Sequence, residues 1–521
     1  MKFIVAFSIL VLSITAANAQ RKPNAAPQSS DSFKNMLGIN AFEWDFLQDP
    51  KHPDDVSKIF EPKMDIIRSF SGVRHYLDWE KVEPKKGSFT FNPAMNGSWN
   101  YDIIYQRCKQ EGIEVLACIK GCPNWLQATY PPNMRDGENI PMPYGAKRDD
   151  PASYIEQAKM AFQFAARYGS NSHIDPKLLS VVSKPRWTND PVNEVKTGLN
   201  TIKYMECDNE RDKWWKGDKA HQTADEYAAN MSAYYDGDKG KLGPGVGVKT
   251  ADPHMIVVMA GMAKTDPAYI QQMITWCRVH RGYKPDGSVN LCFDVINYHY
   301  YANKSTLSSS DQGTEGEAPE LSNAGEIADA YLRIGKTYHL PVWVTETGYD
   351  INPGSPQRAI SIGNRPVLLT QADWIIRTSF LYARHGINKV FFYELYDDNT
   401  KNPTQYASSG LAEPGKRRPA ADYILQAKKL LGDFSYRGTI SNYPLVDVYR
   451  NGNKTIYVLM VPDEKGSTTT ATLNLGKAVN ATQYQFNPGS NDMLKTPLIT
   501  DAKHNLKLTV TETPIFIEKA E

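Results

Sequence analysis

Four carboxylates occupy positions from which chemistry could be done: Glu206, Glu210, Glu346 and Glu394. Glu210 follows Asn209 at the end of IKYMECDNE, Glu346 closes PVWVTE, and Glu394 follows Phe391-Phe392-Tyr393. Two carboxyl groups held roughly 5–5.5 Å apart can break a glycosidic bond with retention, one attacking the anomeric carbon and the other protonating the leaving oxygen. Glu210 is read as the acid/base and Glu346 as the nucleophile. Glu394 is a third carboxylate in a comparable position; it could bind a substrate hydroxyl, pair with an arginine, or replace one of the two. Glu206 precedes Cys207 within its strand and is expected to face the barrel interior or the helices, so it is left outside the site.

Those residues can meet only if separate elements bring them together. From about Lys34 to 429, short apolar runs alternate with longer amphipathic stretches, the pattern of strand-helix repeats around a parallel sheet. The predicted strands are Met36–Ala41, Met64–Phe70, Ile113–Lys120, Ile202–Cys207, Met255–Ala260, Phe293–Tyr298, Val342–Thr345 and Lys389–Tyr393. Helices are predicted at Tyr101–Glu111, Ala152–Tyr168, Ala224–Tyr235, Pro267–His280, Ala324–His339 and Gln371–His385. The fold class is therefore α/β, a (β/α)8 TIM barrel over 34–429, with Glu210 and Glu346 at the C-terminal ends of the fourth and seventh strands. Gly121–Thr201 is too long for one helix and predicts an excursion on the catalytic face that shapes the cleft. After Lys429 the alternation changes to period two with Asn-Gly and Pro-Gly turns, which predicts a small antiparallel β-sandwich over 430–521.

With strands and carboxylates so placed, the chain resembles the clan A glycoside hydrolases over roughly residues 34–429. Trp79-x-x-x-Glu83-Pro84-x-x-Gly87-x-Phe89 is similar to a signature that follows the second strand in several of these families, family 39 among them. Its expected role is structural, with the aromatics packing a long loop and Pro and Gly fixing its turns. The resemblance implies that Arg68, ending IIRSF, hydrogen-bonds the nucleophile and holds it ionised. It implies that Asn209 bonds the sugar 2-hydroxyl, and that His299 or Tyr301 of Asn297-Tyr298-His299-Tyr300-Tyr301 touches the nucleophile. The chain departs from the clan at the eighth strand, where a tryptophan usually floors the central subsite; Tyr393 or Tyr396 could substitute.

Trp214 and Trp215, adjacent in the charged loop RDKWWKGDK, are read as stacking faces for sugar rings, with Trp44 and Trp125 as further candidates and His254 and Asn40 as weaker ones. Lys plus Arg total 59 against 58 Asp plus Glu, so a net charge of +1 offers no pull on nucleic acid or an anionic membrane. The expected partner is a neutral polysaccharide or oligosaccharide, and no cofactor or metal is expected. Residues 1–19 combine Lys2, an apolar Phe3–Ile14 run and Ala17-Asn18-Ala19, the pattern of a cleaved export signal, with 20–33 a flexible lead-in. The expected location is secreted or periplasmic. Cys118 and Cys122 lack a second ligand pair at zinc spacing, and the six cysteines are read as buried small hydrophobes, with one disulfide possible. The reading is an endo-acting retaining β-glycanase, a β-1,3-glucan being one candidate substrate. An exo-acting, xylosidase-like β-glycosidase and a non-catalytic carbohydrate-binding barrel are the alternatives.

Overall fold

The computed structural model describes residues 31–188, 190–305 and 313–520. The predicted export signal lies outside the described residues. Eight parallel strands, β1 (Gly38–Ala41), β2 (Gly72–Asp78), β3 (Glu114–Lys120), β4 (Tyr204–Cys207), β5 (Ile256–Met259), β6 (Ile296–His299), β7 (Val342–Glu346) and β8 (Lys389–Phe392), lie in the order β5-β4-β3-β2-β1-β8-β7-β6. Parallel bridges Val258–Val295 and Met262–Tyr298 join the two outer strands and close the barrel. The principal helices around it are α1 (Glu61–Ile67), α2 (Tyr101–Gln110), α3 (Ile155–Tyr168), α4 (Ala224–Asp236), α5 (Pro267–His280), α6 (Ala324–Tyr338), α7 (Val367–His385) and α8 (Pro419–Leu431).

One strand corrects the sequence reading. Met64–Phe70 is not a strand: most of it is the end of α1, which begins beside Pro62 and buries Lys63, Met64, Ile66 and Ile67 at helical spacing. The second strand is Gly72–Asp78, GVRHYLD. Its polar residues hid it, because Arg74 points into the barrel while His75 bonds Tyr105 of α2 on the outside.

The barrel interior is layered. Leu116, Val258, Val295, Trp343 and Phe391 form a separate apolar cluster. Side chains at adjoining inward positions are polar: Arg74, Cys118, Glu206, Asn297 and Thr345 are all buried and joined by hydrogen bonds. This buried polar layer underlies the site.

Beyond α8 the chain is antiparallel: β9 (Ser435–Asn442), β10 (Leu445–Asn451), β11 (Lys454–Met460), β12 (Thr468–Asn474), β13 (Asn480–Gln485), β14 (Leu494–Ile499), β15 (Asn505–Thr511) and β16 (Ile515–Lys519). A six-stranded sheet, β9-β10-β11-β16-β13-β14, faces the pair β12-β15 across Val446, Leu459, Leu473, Leu508 and Ile517. Its other side packs on the barrel. Phe380 of α7 stacks on Phe33 at 4.8 Å and meets Tyr449 and Phe516 edgewise or tilted, and Arg384 of α7 pairs with buried Asp447 at 2.9 Å. Among the described residues no helix is long and apolar enough to cross a membrane.

Candidate active site

The ends of β4 and β7 converge as the sequence reading requires. One carboxylate oxygen of Glu210, one of Glu346 and a ring nitrogen of His299 all lie within 4.8 Å of one another. Glu346 is buried at the end of β7; Glu210 is partly exposed, three residues past β4. Asp208 and Glu210 both have left-handed backbone, with φ of 69° and 48°. A non-glycine residue held there is strained, so its surroundings must fix it. Asp208 is fixed by Arg211 at 3.3 Å and by its own contact to the Asn209 amide at 2.7 Å.

Arg74 of β2 organises the group. Its Nη1 donates to Glu346 Oε1 at 2.6 Å and to Asn40 Oδ1 at 2.9 Å. Its Nε and Nη2 hold Glu206 at 2.6 and 3.0 Å, and Nη2 also donates to Asn209 Oδ1 at 2.8 Å. With its carbonyl oxygen taken, Asn209 is left with its amide hydrogens to offer a substrate hydroxyl. The hydrogen bond to Glu346 expected from Arg68 comes instead from Arg74. Arg68 lies at the C-terminus of α1 and pairs with Asp65 and Glu111 outside the barrel. Glu206 does face the barrel interior, where it is the fully buried counter-ion of Arg74.

Both candidates from the strand β6 run point inward. Tyr301 Oη donates to Glu346 Oε2 at 3.1 Å, so each oxygen of Glu346 has its own donor. His299 Nδ1 lies 2.8 Å from Glu210 Oε1 and 3.5 Å from Glu346 Oε2, and its Nε2 lies 3.0 Å from Thr345 Oγ1. Burial pushes this imidazole down to about 4, against the pull of Glu346, so it is neutral at neutral pH. Gly261 makes room for it: a Cβ there would sit 1.9 Å from His299 Nε2.

These groups open into a cavity of about 1280 Å³. Trp214 and Trp215 line it, 43% and 48% exposed and edge to face at 4.8 Å, as do Tyr76, Tyr300 and Tyr393. Asp212 is a lining residue that sequence reasoning missed; it accepts the backbone N–H groups of Ala263 and Lys264, and burial pushes it up to about 6. Its signal was only its place two residues past Glu210.

The excursion after β3 contributes no side chain to this cavity. It props the loop that carries Glu210 and the tryptophans: Glu138 binds Lys213 and Lys216 at 2.9 Å, Asp136 binds Lys219 at 2.7 Å, and the Glu138 carbonyl receives Arg211. Trp125 packs edgewise on Trp79 at 5.6 Å and donates to the Glu83 carbonyl. The motif beneath it is a closed turn. Trp79 Nε1 and the Gly87 amide donate to the two oxygens of Glu83 at 2.6 and 2.7 Å, with Phe89 buried.

Three candidates fall elsewhere. His254 is exposed before β5, away from the mouth. Glu394 and Trp44 line a separate pocket of about 190 Å³, with Tyr396. Glu394 is therefore outside the cavity that Glu210 and Glu346 line. Among the described residues, Glu210, His299 and Glu346 form the one group close enough to share a cation, and Cys118 and Cys122 belong to none.

The parallel eight-stranded barrel is a fold shared with solved glycoside hydrolase structures. Among solved structures the chain is similar to a family 39 glycoside hydrolase from Bacteroides cellulosilyticus, with a TM-score of 0.59 and 16% identity over 94% of this chain and 82% of the other. A family 30 endoxylanase from Clostridium papyrosolvens gives 0.53 and 12% over 96% and 99%, and a family 44 xyloglucanase from Paenibacillus polymyxa 0.53 and 10% over 96% and 97%. At these identities the likeness is one of fold. No family model matches the sequence. No curated protein matches it either.

Proposed function

We propose that this chain is an exported retaining glycoside hydrolase that cuts β-linked polysaccharide within the chain. The observation that carries the proposal is the convergence of Glu210 and Glu346 to within 4.8 Å. Nearest oxygens that close favour direct attack by one carboxylate, as in a pair whose carboxyl groups stand roughly 5–5.5 Å apart, over the roughly 6.5–9.5 Å of an inverting pair that admits a water. In the first step Glu346 attacks the anomeric carbon while Glu210 protonates the leaving oxygen. In the second, Glu210 takes a proton from water, which displaces the sugar from Glu346.

The surroundings support these roles. Arg74 and Tyr301 donate to Glu346 and fix its orientation. Neutral His299 adds no second cation beside Glu210, and its two nitrogens can exchange donor and acceptor roles with Thr345 as Glu210 gains and loses its proton. Internal cutting is supported by the size of the cavity, which exceeds the roughly 300–1,000 Å³ of a site for one small ligand. The exposed Trp214-Trp215 pair supplies ring faces beside the acid/base. Export is supported by the basic, apolar and small-residue order of 1–19.

The test is hydrolysis of laminarin, xylan, xyloglucan and aryl β-glycosides by wild type, Glu210→Ala and Glu346→Ala. Cleavage of a polymer to oligomers should be lost in both variants, and azide should restore Glu346→Ala with an inverted glycosyl azide as product. Wild-type rates in both variants would overturn the assignment.

A further inference from the structure

Cys277 and Cys292, 15 residues apart in the chain, hold their sulfurs 3.5 Å apart. Cys277 lies on the inner face of α5, at helical spacing with Met273 and Ile274. Cys292 lies between buried Leu291 and Phe293 in the lead-in to β6, and its sulfur is 3.7 Å from the Ala228 carbonyl of α4. Both side chains are fully buried. Cys118 and Cys122 are occupied differently: Arg74 donates to Cys118 at 3.3 Å, and Cys122 meets the Pro123 carbonyl.

The backbone around the pair holds this meeting in place. Residues 283–288 between the two cysteines form an exposed turn, and both ends of it are tied down. The Asn290 N–H donates to the Gly282 carbonyl at 2.9 Å, and Arg281 Nε donates to the Asn290 carbonyl at 3.0 Å. The remaining Arg281 nitrogens reach Ser232 at 2.6 Å and Asp236 at 2.7 Å, both on α4. The sulfurs are thus brought together by α4, α5 and the start of β6 at once. A disulfide holds its sulfurs at about 2.05 Å, so an approach of roughly 1.5 Å is needed, which rotation about the two Cα–Cβ bonds can supply.

We infer that Cys277 and Cys292 close into a disulfide in the exported protein, fastening the end of α5 to the strand that carries His299. The inference rests on the export reading of residues 1–19, because cytosolic thiols are kept reduced and exported ones are not; it does not depend on the glycosidase reading. One cysteine thiolate attacks the disulfide of an exported oxidoreductase and releases its first thiol. The second cysteine then attacks the mixed disulfide and releases the other. Two electrons and two protons leave the cysteine pair, and the donor disulfide departs as two thiols. Burial of both sulfurs places this exchange during folding, before α5 seats on the barrel. The bond would stabilise the fold by restricting the unfolded chain across the exposed turn.

The experiment counts thiols in denaturant and maps tryptic peptides without reductant, for wild type and Cys277→Ala. Each is prepared twice: exported behind its own leader, and refolded from guanidinium with oxidised and reduced glutathione. Six cysteines less one bonded pair leave four thiols in wild type, with one linked peptide joining Cys277 to Cys292. Cys277→Ala should show five thiols and no linked peptide. Reductant should lower the wild-type melting temperature by roughly 3–6 °C and leave that of Cys277→Ala unchanged. Six thiols in refolded wild type would overturn the inference, as would six in wild type whose leader has been removed. Linkage between other cysteines, or the same melting shift in both proteins, would overturn it too. If the leader is retained and the chain stays in the cytosol, the export reading fails, and the refolded protein still decides whether the pair bonds.

Discussion

Arg74 directs all three guanidinium nitrogens at buried acceptors, and one of them is an oxygen of Glu346, the proposed nucleophile. Replacing it with alanine would strand Glu206 and Glu346 in the barrel without a counter-ion. Breaking a buried pair this way costs about 3–5 kcal/mol. Arg74→Ala should thus lower both the urea midpoint and kcat/KM, the latter by about 100-fold or more, as loss of a donor to a reacting group does. Arg68→Ala is the control. Its partners sit at the surface, where an ion pair contributes at most about 1 kcal/mol, and activity should stay within about two-fold. If Arg68→Ala loses activity and Arg74→Ala keeps it, the brace has been misplaced. The confusion between the two shows where residue patterns stop being informative. Glu210 and Glu346 could be placed because they end or follow apolar runs, and Asn209, His299 and Tyr301 only from the resemblance to the clan. Arg74 could not, because it lies mid-strand among His75 and Asp78, and buried parallel strands are sought as continuous hydrophobic runs. The apolar IIRSF nearby drew the assignment instead.

At the scale of elements, seven of the eight barrel strands could be read from apolar runs, since burial on both faces leaves little room for polar residues. The role of the long excursion could not, because it acts through ion pairs to a loop 75 residues later in the chain. Lys213 is buried, and burial opposes the Glu138 charge while Lys213 and Lys216 bring that carboxyl down to about 2. Glu138→Ala should free the loop that holds Glu210 in its left-handed backbone. A fall in kcat of about ten-fold is expected at temperatures well below the melt, beside a lowered melting temperature because buried Lys213 loses its partner, and an unchanged kcat would mean the excursion only supports the fold. The turn at Glu83 makes the opposite prediction. Gly87 has φ of 73° and open space where a Cβ would go, so Gly87→Ala should cost about 1 kcal/mol of stability from backbone strain alone and leave kcat unchanged. Thermal melts and aryl glycoside turnover separate the two cases.

Over the whole molecule, buried carboxyl groups set how stability depends on pH. Burial is the leading cause in each case: Asp45 and Glu83 are pushed up to about 7, Asp212, Asp350 and Asp373 to about 6, and Glu394 to about 10. A group whose folded pKa is raised adds stability below its unfolded value, and that stability is lost as pH rises through the folded value. For the first five groups, the loss runs from about pH 4 to pH 7. His299 works the other way: lowered from 6.5 to about 4, it adds stability above 6.5 that is lost as pH falls toward 4. One imidazole opposes six carboxyls, so the fold holds more protons than the unfolded chain across the window, and stability must fall as pH rises. Glu111 and Glu138, lowered to about 2, change stability only at more acid pH, and Lys428, lowered to about 8, only at more alkaline pH. The melting temperature at constant ionic strength should therefore be higher at pH 5 than at pH 8. Glu83→Gln, which keeps a neutral side chain at every pH, should reduce that difference. An equal or higher melting temperature at pH 8 would show that these carboxyls are not held protonated.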